Sequence, residues 1–371
     1  MEIKIARSEL LKSVSRVQSI IERKSSMPVL STILFDASGS SVRLSATDLE
    51  LGFQETLSAT VIQEGSVTIS GRKLFEILKE SNSETFQIKG RENNWVRLSD
   101  GVARFDLACI APDEFPAFIE PEGVPMVQID SAVLADMISK TIYAITIEEA
   151  GFKLSGVFTE RVSYNGNYFL RMVATDGHRL SMIDKAVPNI DSLDLSHGVM
   201  IPKKGMSELS RLASEGGALE IGFKQKDCVA KKENALLVMR LLEAKFPDYQ
   251  AVIPKDTAFS ISLKRTSLLE AMRKMLILSN ERYRAVKITI EKDVLDLVSA
   301  NPDLGEVQEK IDIQYSGERI EAGFNPRYFI DVVQAMQSET IRMEFTDNSR
   351  PCVIKGDEDE GFIGLIMPMR V

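Results

Sequence analysis

One structural phrase, an alternating strand running straight into an amphipathic helix, occurs three times along the 371 residues. Ile3 and Ile5 alternate with polar residues ahead of Ser8-Glu9-Leu10-Leu11-Lys12-Ser13-Val14. Val127 and Ile129 do so ahead of Ser131-Ala132-Val133-Leu134-Ala135-Asp136-Met137, and Phe259, Ile261 and Leu263 ahead of Thr266-Ser267-Leu268-Leu269-Glu270-Ala271-Met272. Aligned on Leu11, Leu134 and Leu269, the copies stand 123 and 135 residues apart. A recurring supersecondary unit restricts the chain to an architecture built by repetition. The Ser or Thr before each apolar run predicts a side-chain cap at each helix start.

A second strand-to-helix phrase keeps the same beat. Val67-Thr68-Ile69 leads into Arg72-Lys73-Leu74-Phe75, Val199-Met200-Ile201 into Lys203-Lys204-Gly205-Met206, and Ala322-Gly323-Phe324 into Asn325-Pro326-Arg327-Tyr328. Smaller markers agree: Ala46-Thr47-Asp48, Ala174-Thr175-Asp176 and Ala300-Asn301-Pro302 precede turns, and Phe115-Pro116, Phe246-Pro247 and Met367-Pro368 close the copies. Between the helices run short alternating segments such as Val42-Leu44-Ala46, Phe86-Ile88 and Val96-Leu98, which read as half-buried strands. The expected fold is therefore α+β: three tandem domains over 1–124, 125–254 and 255–371, each made of two β-α-β-β-β units with antiparallel sheets. The breaks fall in the Pro-bearing stretches 121–125 and 253–257. Ser163–Tyr168 reads as a hairpin turn, and the acidic run Asp357–Glu360 as a solvated hairpin tip.

No apolar run exceeds five residues, far short of the roughly 20 that span a bilayer. The opening Met1-Glu2-Ile3-Lys4 carries no signal-like apolar region, and three scattered cysteines fit a reducing compartment, so a cytoplasmic location is expected. Two histidines and no CxxC pair leave no set for zinc, and no cofactor is expected.

Forty-five basic against 54 acidic residues give a net charge of −9, which excludes a protein basic over its whole surface. The bases nevertheless recur on the polar faces of the repeated helices: Lys12, Arg16 and the following Lys24; Arg72 and Lys79; Lys140; Lys203, Lys204 and Arg211; Arg273, Lys274 and Arg327. Polar helix faces carry Lys and Arg in any case, and Glu76, Glu208 and Asp331 dilute the pattern. A helix of twelve residues is about 18 Å long, and duplex DNA carries about one charge per 1.7 Å of axis, so such a face meets on the order of ten phosphates. Those charges would attract duplex of any sequence, because contacts to phosphate do not read bases.

Val173-Ala174-Thr175-Asp176-Gly177-His178-Arg179-Leu180, Phe246-Pro247-Asp248-Tyr249, Ile277-Leu278-Ser279-Asn280-Glu281 and the terminal Met367-Pro368-Met369-Arg370 resemble the bacterial DNA polymerase III beta subunits, the sliding clamps, in order over the whole chain. The resemblance implies a ring-shaped homodimer with helices around a hole and sheets outside, which encircles duplex DNA without sequence specificity. It also implies that the ring is opened by a clamp loader and tethers the replicative polymerase, with other DNA polymerases and repair proteins as further partners. In such clamps a cleft between the second and third domains receives short peptides. Here its lining would be Leu154, Thr175, Gly177, His178, Arg179, Leu180, Pro247, Val252, Met367, Pro368, Met369 and Arg370, with Asn325, Tyr328 and Ser349 at the rim. Flexible, polarizable methionines suit a cleft that accepts several sequences. For the dimer the resemblance implies Phe105 against Ile277 and Leu278 of the other chain, with Lys73 and Arg104 facing Glu306 and Glu309. Ala251 and Lys153 depart from the family pattern and bear on peptide preference.

Two other classes stay open on the residues alone. Asp176, His178 and Ser181 are neighbours in sequence, which does not make a catalytic triad, and the chain has no GxSxG, phosphate-loop or GxGxxG motif. No catalytic or metal-binding residues are therefore assigned. A peptide-binding adaptor of repeated sheets, indifferent to DNA, would use the same cleft and differ in showing no retention on circular duplex.

Overall fold

The computed structural model describes residues 1–21, 26–118, 122–145, 155–279 and 285–369, and in them the β-α-β-β-β phrase occurs six times. The first copy is β1 (Glu2–Ala6), α1 (Arg7–Arg16), β2 (Thr32–Ser38), β3 (Ser41–Thr47) and β4 (Leu51–Ser58). A short strand, β5 (Thr60–Gln63), precedes the second copy: β6 (Gly65–Ser70), α2 (Gly71–Glu80), β7 (Thr85–Arg91), β8 (Trp95–Ser99) and β9 (Arg104–Ala108). The middle repeat supplies β10 (Met126–Asp130), α3 (Ser131–Ser139), β11 (Gly156–Tyr164), β12 (Asn167–Thr175) and β13 (Arg179–Lys185), then β14 (Val199–Pro202), α4 (Lys203–Ala213), β15 (Ala218–Lys224), β16 (Asp227–Lys232) and β17 (Ala235–Arg240). The last supplies β18 (Phe259–Lys264), α5 (Arg265–Ile277), β19 (Val286–Glu291), β20 (Val294–Asn301) and β21 (Gly305–Asp312), then β22 (Ile320–Phe324), α6 (Pro326–Ala335), β23 (Thr340–Phe345), β24 (Cys352–Gly356) and β25 (Phe362–Ile366). Every pairing between these strands is antiparallel.

These elements form two compact units. One comprises Met1–Ser131, Ser192–Asp194 and Ser207–Leu241. It holds a five-stranded sheet, β5-β1-β7-β8-β9, and an eight-stranded sheet, β10-β15-β16-β17-β4-β3-β2-β6. The β17–β4 pairing, with Met239 opposite Leu51 and Leu237 opposite Phe53, makes one sheet out of strands from two successive repeats. Helices α1 and α2 pack on each other and bury Leu10, Val14, Leu74 and Leu78. Each such leucine contributes about 1.5–3 kcal/mol of apolar burial.

The other unit comprises Ala132–Asp191, Leu195–Met206 and Leu242–Val371. Its eight-stranded sheet runs β14-β11-β12-β13-β25-β24-β23-β18, and its four-stranded sheet β21-β20-β19-β22. Here the β13–β25 pairing, Leu180 opposite Leu365, joins two repeats in the same manner. Helices α5 and α6 pack together and bury Leu268, Met272 and Met275 on one, Phe329, Ile330 and Val333 on the other.

The caps expected at Ser8 and Thr266 are not used. Helix α1 begins at Arg7 and α5 at Arg265, which places Ser8 and Thr266 inside the first turn with no side-chain cap at either start. Strand and helix are too closely joined to leave a separate capping residue. Instead, the first helical amide donates to a backbone carbonyl from elsewhere in the repeat: Arg7 to Glu84, Ser131 to Gly217, Lys203 to Ser155 and Arg265 to Glu339, each at 2.9 Å. These bonds satisfy an amide that every helix leaves orphaned. Of the starts of α1, α2, α5 and α6, that of α6 alone is capped by a side chain, Asn325 accepting from the Arg327 amide at 2.9 Å.

The turn markers keep their chemistry. Thr47 Oγ donates to the Leu51 carbonyl at 2.8 Å and Thr175 Oγ to the Arg179 carbonyl at 2.6 Å. Asp48 and Asp176 each accept two amides in the same turn. The Tyr164–Asn167 hairpin turns on Asn165 and Gly166, both at positive φ, as an Asn-Gly turn requires. In the acidic tip Asp357, Glu358 and Glu360 are exposed as expected, and Asp359 departs. Asp359 is buried and accepts from the Gln337 and Ser338 amides and the Ser338 hydroxyl, at 3.0, 3.0 and 2.6 Å. It is a structural acid, turned inward from an otherwise solvated tip.

Candidate functional site

A cleft of about 600 Å³ opens in the second unit, where the start of β13, the 245–252 segment and the end of β25 converge. The turn before β13 is preset by its own side chains. Thr175 Oγ accepts from the Gly177 amide at 3.1 Å, Asp176 holds the His178 and Arg179 amides at 3.0 Å each, and Gly177 takes the left-handed φ of +84°. The chain leaving β25 is tied to this turn, since the Met367 amide donates to the His178 carbonyl at 2.9 Å. Two residues later Met369 pairs with Gly323, its amide donating to the Gly323 carbonyl at 2.7 Å. The floor is apolar: Leu180, Phe246, Tyr249 and Leu365 belong to one buried cluster with Val173, Met182, Met200 and Val353. Phe158 stacks on Phe246, centroids 4.8 Å apart and planes 8° from parallel.

Arg179 gathers polar groups at one side. Its guanidinium meets Asp176 Oδ2 at 3.0 Å, Asp331 Oδ2 at 2.6 Å and the Tyr143 carbonyl at 2.6 Å, and lies 4.7 Å from the Tyr328 ring centroid. His178 stacks on the same Tyr328 ring at 6.4 Å. Burial pushes the Tyr143 phenol well above its ordinary range, so it stays protonated. An apolar trough with a few fixed polar groups is the usual form of a site for a small ligand or short chain segment.

Of the residues named from sequence, Thr175, Gly177, Arg179, Leu180, Pro247, Val252 and Met367 line this cleft. His178 and Tyr328 stand beside it through their stack, while Asn325 serves as the cap of α6. Ser349 lies in a separate turn, donating to Asp347 at 2.7 Å. Pro368 and Met369 continue the chain from Met367, and Lys153, Leu154 and Arg370 lie outside the described residues. Lys245, Phe246, Asp248, Tyr249, Pro351 and Leu365 complete the lining, beyond the residues that the resemblance implies for it. The Phe-Pro-Asp-Tyr motif was the available signal for three of them.

The helix-borne bases divide into two groups. Lys12, Arg72, Lys79, Lys203, Lys204, Arg211 and Arg273 are exposed, as is Lys274, which pairs with Glu309 at 2.8 Å. Arg72 and Lys73 share Glu76, at 2.8 and 2.9 Å. Two residues are corrected. The Lys140 side chain is 1% exposed and ion-paired to Asp136 and Asp359, so its charge does not reach solvent. Arg16 is nearly buried, clasped by Glu55 and Glu215, and its charge is spent inside the first unit. Both follow from the same cause: these positions lie where a helix end meets acids from distant segments, a juxtaposition that helical spacing does not reveal. Lys24 lies outside the described residues.

Two sheet edges carry the remaining candidates. β9 ends the five-stranded sheet and β21 ends the four-stranded one, each with one side unpaired by any described strand. Phe105 is half-buried on β9 beside exposed Arg104, and Glu306 is exposed on β21. Ile277, at the end of α5, is 75% exposed and Leu278 half-buried. Among the described residues no group of His, Cys, Asp or Glu is arranged to hold a metal ion, and no helix is long and apolar enough to cross a membrane.

Three family models match in tandem: DNA polymerase III beta subunit, N-terminal domain, over residues 1–119, central domain over 128–248, and C-terminal domain over 250–370. The beta sliding clamp of Caulobacter vibrioides is 30% identical over 375 residues, covering all of both chains. Among solved structures, Caulobacter crescentus pol III beta superposes with a TM-score of 0.93 at 30% identity. A sliding clamp from Bartonella birtlesii, bound to griselimycin, does so at 0.94 and 30%; both cover the full length of each chain.

Proposed function

The chain belongs to the DNA polymerase III beta-subunit family of sliding clamps, non-catalytic processivity factors of the replicative DNA polymerase, and from that membership we propose that two copies close end to end into a ring around duplex DNA. The observation that carries the reading is the tandem match of all three domain models across the chain. The ring contact pairs β9 of one protomer with β21 of its partner, which leaves neither edge open to aggregation. Phe105, Ile277 and Leu278 supply the apolar contact and Lys73, Arg104, Glu306 and Glu309 its charged rim, in which core burial gives most of the affinity and rim charges set register.

DNA is held topologically and in the cytoplasm. Lys12, Arg72, Lys79, Lys203, Lys204, Arg211, Arg273 and Lys274 provide a diffuse positive field toward phosphates, without base readout. The cleft beneath Leu180 and Met367 takes a short apolar peptide from the replicative polymerase, the clamp loader, and other DNA polymerases or repair proteins. Sedimentation together with negative-stain micrographs tests the assembly. A mass of two chains with a central hole is expected; compact single-chain particles refute it.

A further inference from the structure

We infer that Arg171, which does not line the cleft, is a positioning residue for it, holding the Tyr249 wall by its hydroxyl. The inference rests on reading the cleft as the partner-peptide site. Three neighbouring strands place an acid, a base and an acid on one rung: Glu160 stands opposite Arg171 across β11 and β12, and Arg171 opposite Asp184 across β12 and β13. Paired residues on adjacent strands project from the same face of a sheet, so the three side chains meet. Arg171 is 5% exposed. Asp184 takes it in a fork, Nε to Oδ1 at 2.7 Å and Nη2 to Oδ2 at 2.6 Å.

The guanidinium has donors left over, and they go to two tyrosines. Nη1 donates to Tyr249 Oη at 3.0 Å, and Nη2 donates to Tyr164 Oη. Tyr249 Oη in turn donates to Glu160. The hydroxyl is thus gripped by a cation on one side and a carboxylate on the other, while the ring stands in the cleft, 6.1 Å from Phe246 at an interplanar angle of 63°. A tyrosine ring turns about two torsions, and fixing its far end removes both freedoms. A wall fixed before the ligand arrives spares the complex that ordering cost. An ionic rung is no better for stability than a well-packed apolar one, so stability alone gives no reason for this arrangement.

The experiment is a double-mutant cycle read on peptide affinity, with a fluorescein-labelled clamp-binding peptide of the cognate replicative polymerase as probe. Tyr249→Phe keeps the ring and removes the hydroxyl. Arg171→Lys keeps the charge beside Asp184 but loses the fork that reaches Tyr249. Each is expected to weaken binding by about three- to tenfold, the scale of one hydrogen bond, chiefly through faster dissociation. The double variant is expected to be no weaker than the worse single, because both act through one ring. Tyr164→Phe, which removes the other tyrosine bond to Arg171, is expected to stay within about twofold of the original chain. Additive losses, or unchanged affinity in Tyr249→Phe, overturn the positioning role. Failure of the unaltered chain to bind the peptide overturns instead the assignment of the cleft, and the inference with it.

Discussion

Lys140 Nζ lies 2.8 Å from Asp359 Oδ1, with both side chains essentially removed from solvent. The ammonium also meets Asp136 Oδ1 at 2.9 Å and stands 5.7 Å from the Phe362 ring centroid. A lysine at the end of α3 and an acid in the tip before β25 thereby neutralise each other inside the second unit. Breaking one side of a buried pair leaves an uncompensated charge, which costs about 3–5 kcal/mol. Lys140→Met is accordingly expected to lower unfolding free energy in urea by that amount, and Lys140→Met with Asp359→Asn to recover part of it. The salt dependence of DNA binding should not change, since this charge does not face phosphate.

The same pair has a pH signature. Burial alone would raise the Asp359 pKa, but hydrogen bonds from Lys140, Ser338 and the Gln337 and Ser338 amides outweigh it and hold the carboxyl below its ordinary value. A group depressed in the folded state contributes stability that is complete above the unfolded value, about pH 4, and is lost as pH falls through the lower folded value. Acid unfolding of the original chain should therefore be steeper below about pH 4 than that of Asp359→Asn. Equal profiles would mean the carboxylate is not ionised in the fold.

Met367 projects into the cleft as the chain leaves β25. Met367→Glu places a carboxylate in an apolar trough and is expected to reduce partner-peptide affinity at least a hundredfold, about 2.7 kcal/mol, while leaving the mass of the assembly unchanged. Loss of the dimer in this variant would assign the segment to the protein core.

Ile277 is the most exposed large apolar side chain at the proposed contact. Ile277→Ala with Leu278→Lys is expected to yield monomers by sedimentation, with the peptide cleft still functional. An unchanged dimer would place the interface elsewhere.

Gly52 occupies in the first unit the strand position that Leu180 occupies in the second: each follows the Thr-Asp turn and faces a strand that arrives from the next repeat. Phe118 fills the space, and a Cβ on Gly52 would lie 2.6 Å from its Cε2 atom. Gly52→Ala is expected to destabilise by about 1–3 kcal/mol in urea unfolding, the range for overpacking, without altering peptide affinity.

Much of the fold was legible because repetition exposed it. The spacing of Leu11, Leu134 and Leu269, and the paired turns at Thr47 and Thr175, reported local geometry that each repeat must satisfy within itself. The cleft was legible where its walls fall in continuous motifs, as at Thr175–Leu180. What escaped was set by contacts between distant segments. Lys140 and Arg16 have the spacing of exposed helical bases, yet acids more than 30 residues away enclose them. Ser8 and Thr266 have the composition of caps, yet the carbonyls of Glu84 and Glu339 hold the first helical amides. Leu365 on β25 and Pro351 just before β24 complete the cleft from segments whose alternation says nothing about which face meets a partner.

Retention on DNA before and after opening the duplex tests the proposed topology most directly. The protein is loaded on a nicked circle by its clamp loader, washed at high salt, and the circle is then cut once. A surrounding ring stays on the intact circle, where direct ionic affinity has been screened away, and slides off the ends after cutting. Equal retention on circle and linear duplex, or loss from both at high salt, would contradict encirclement.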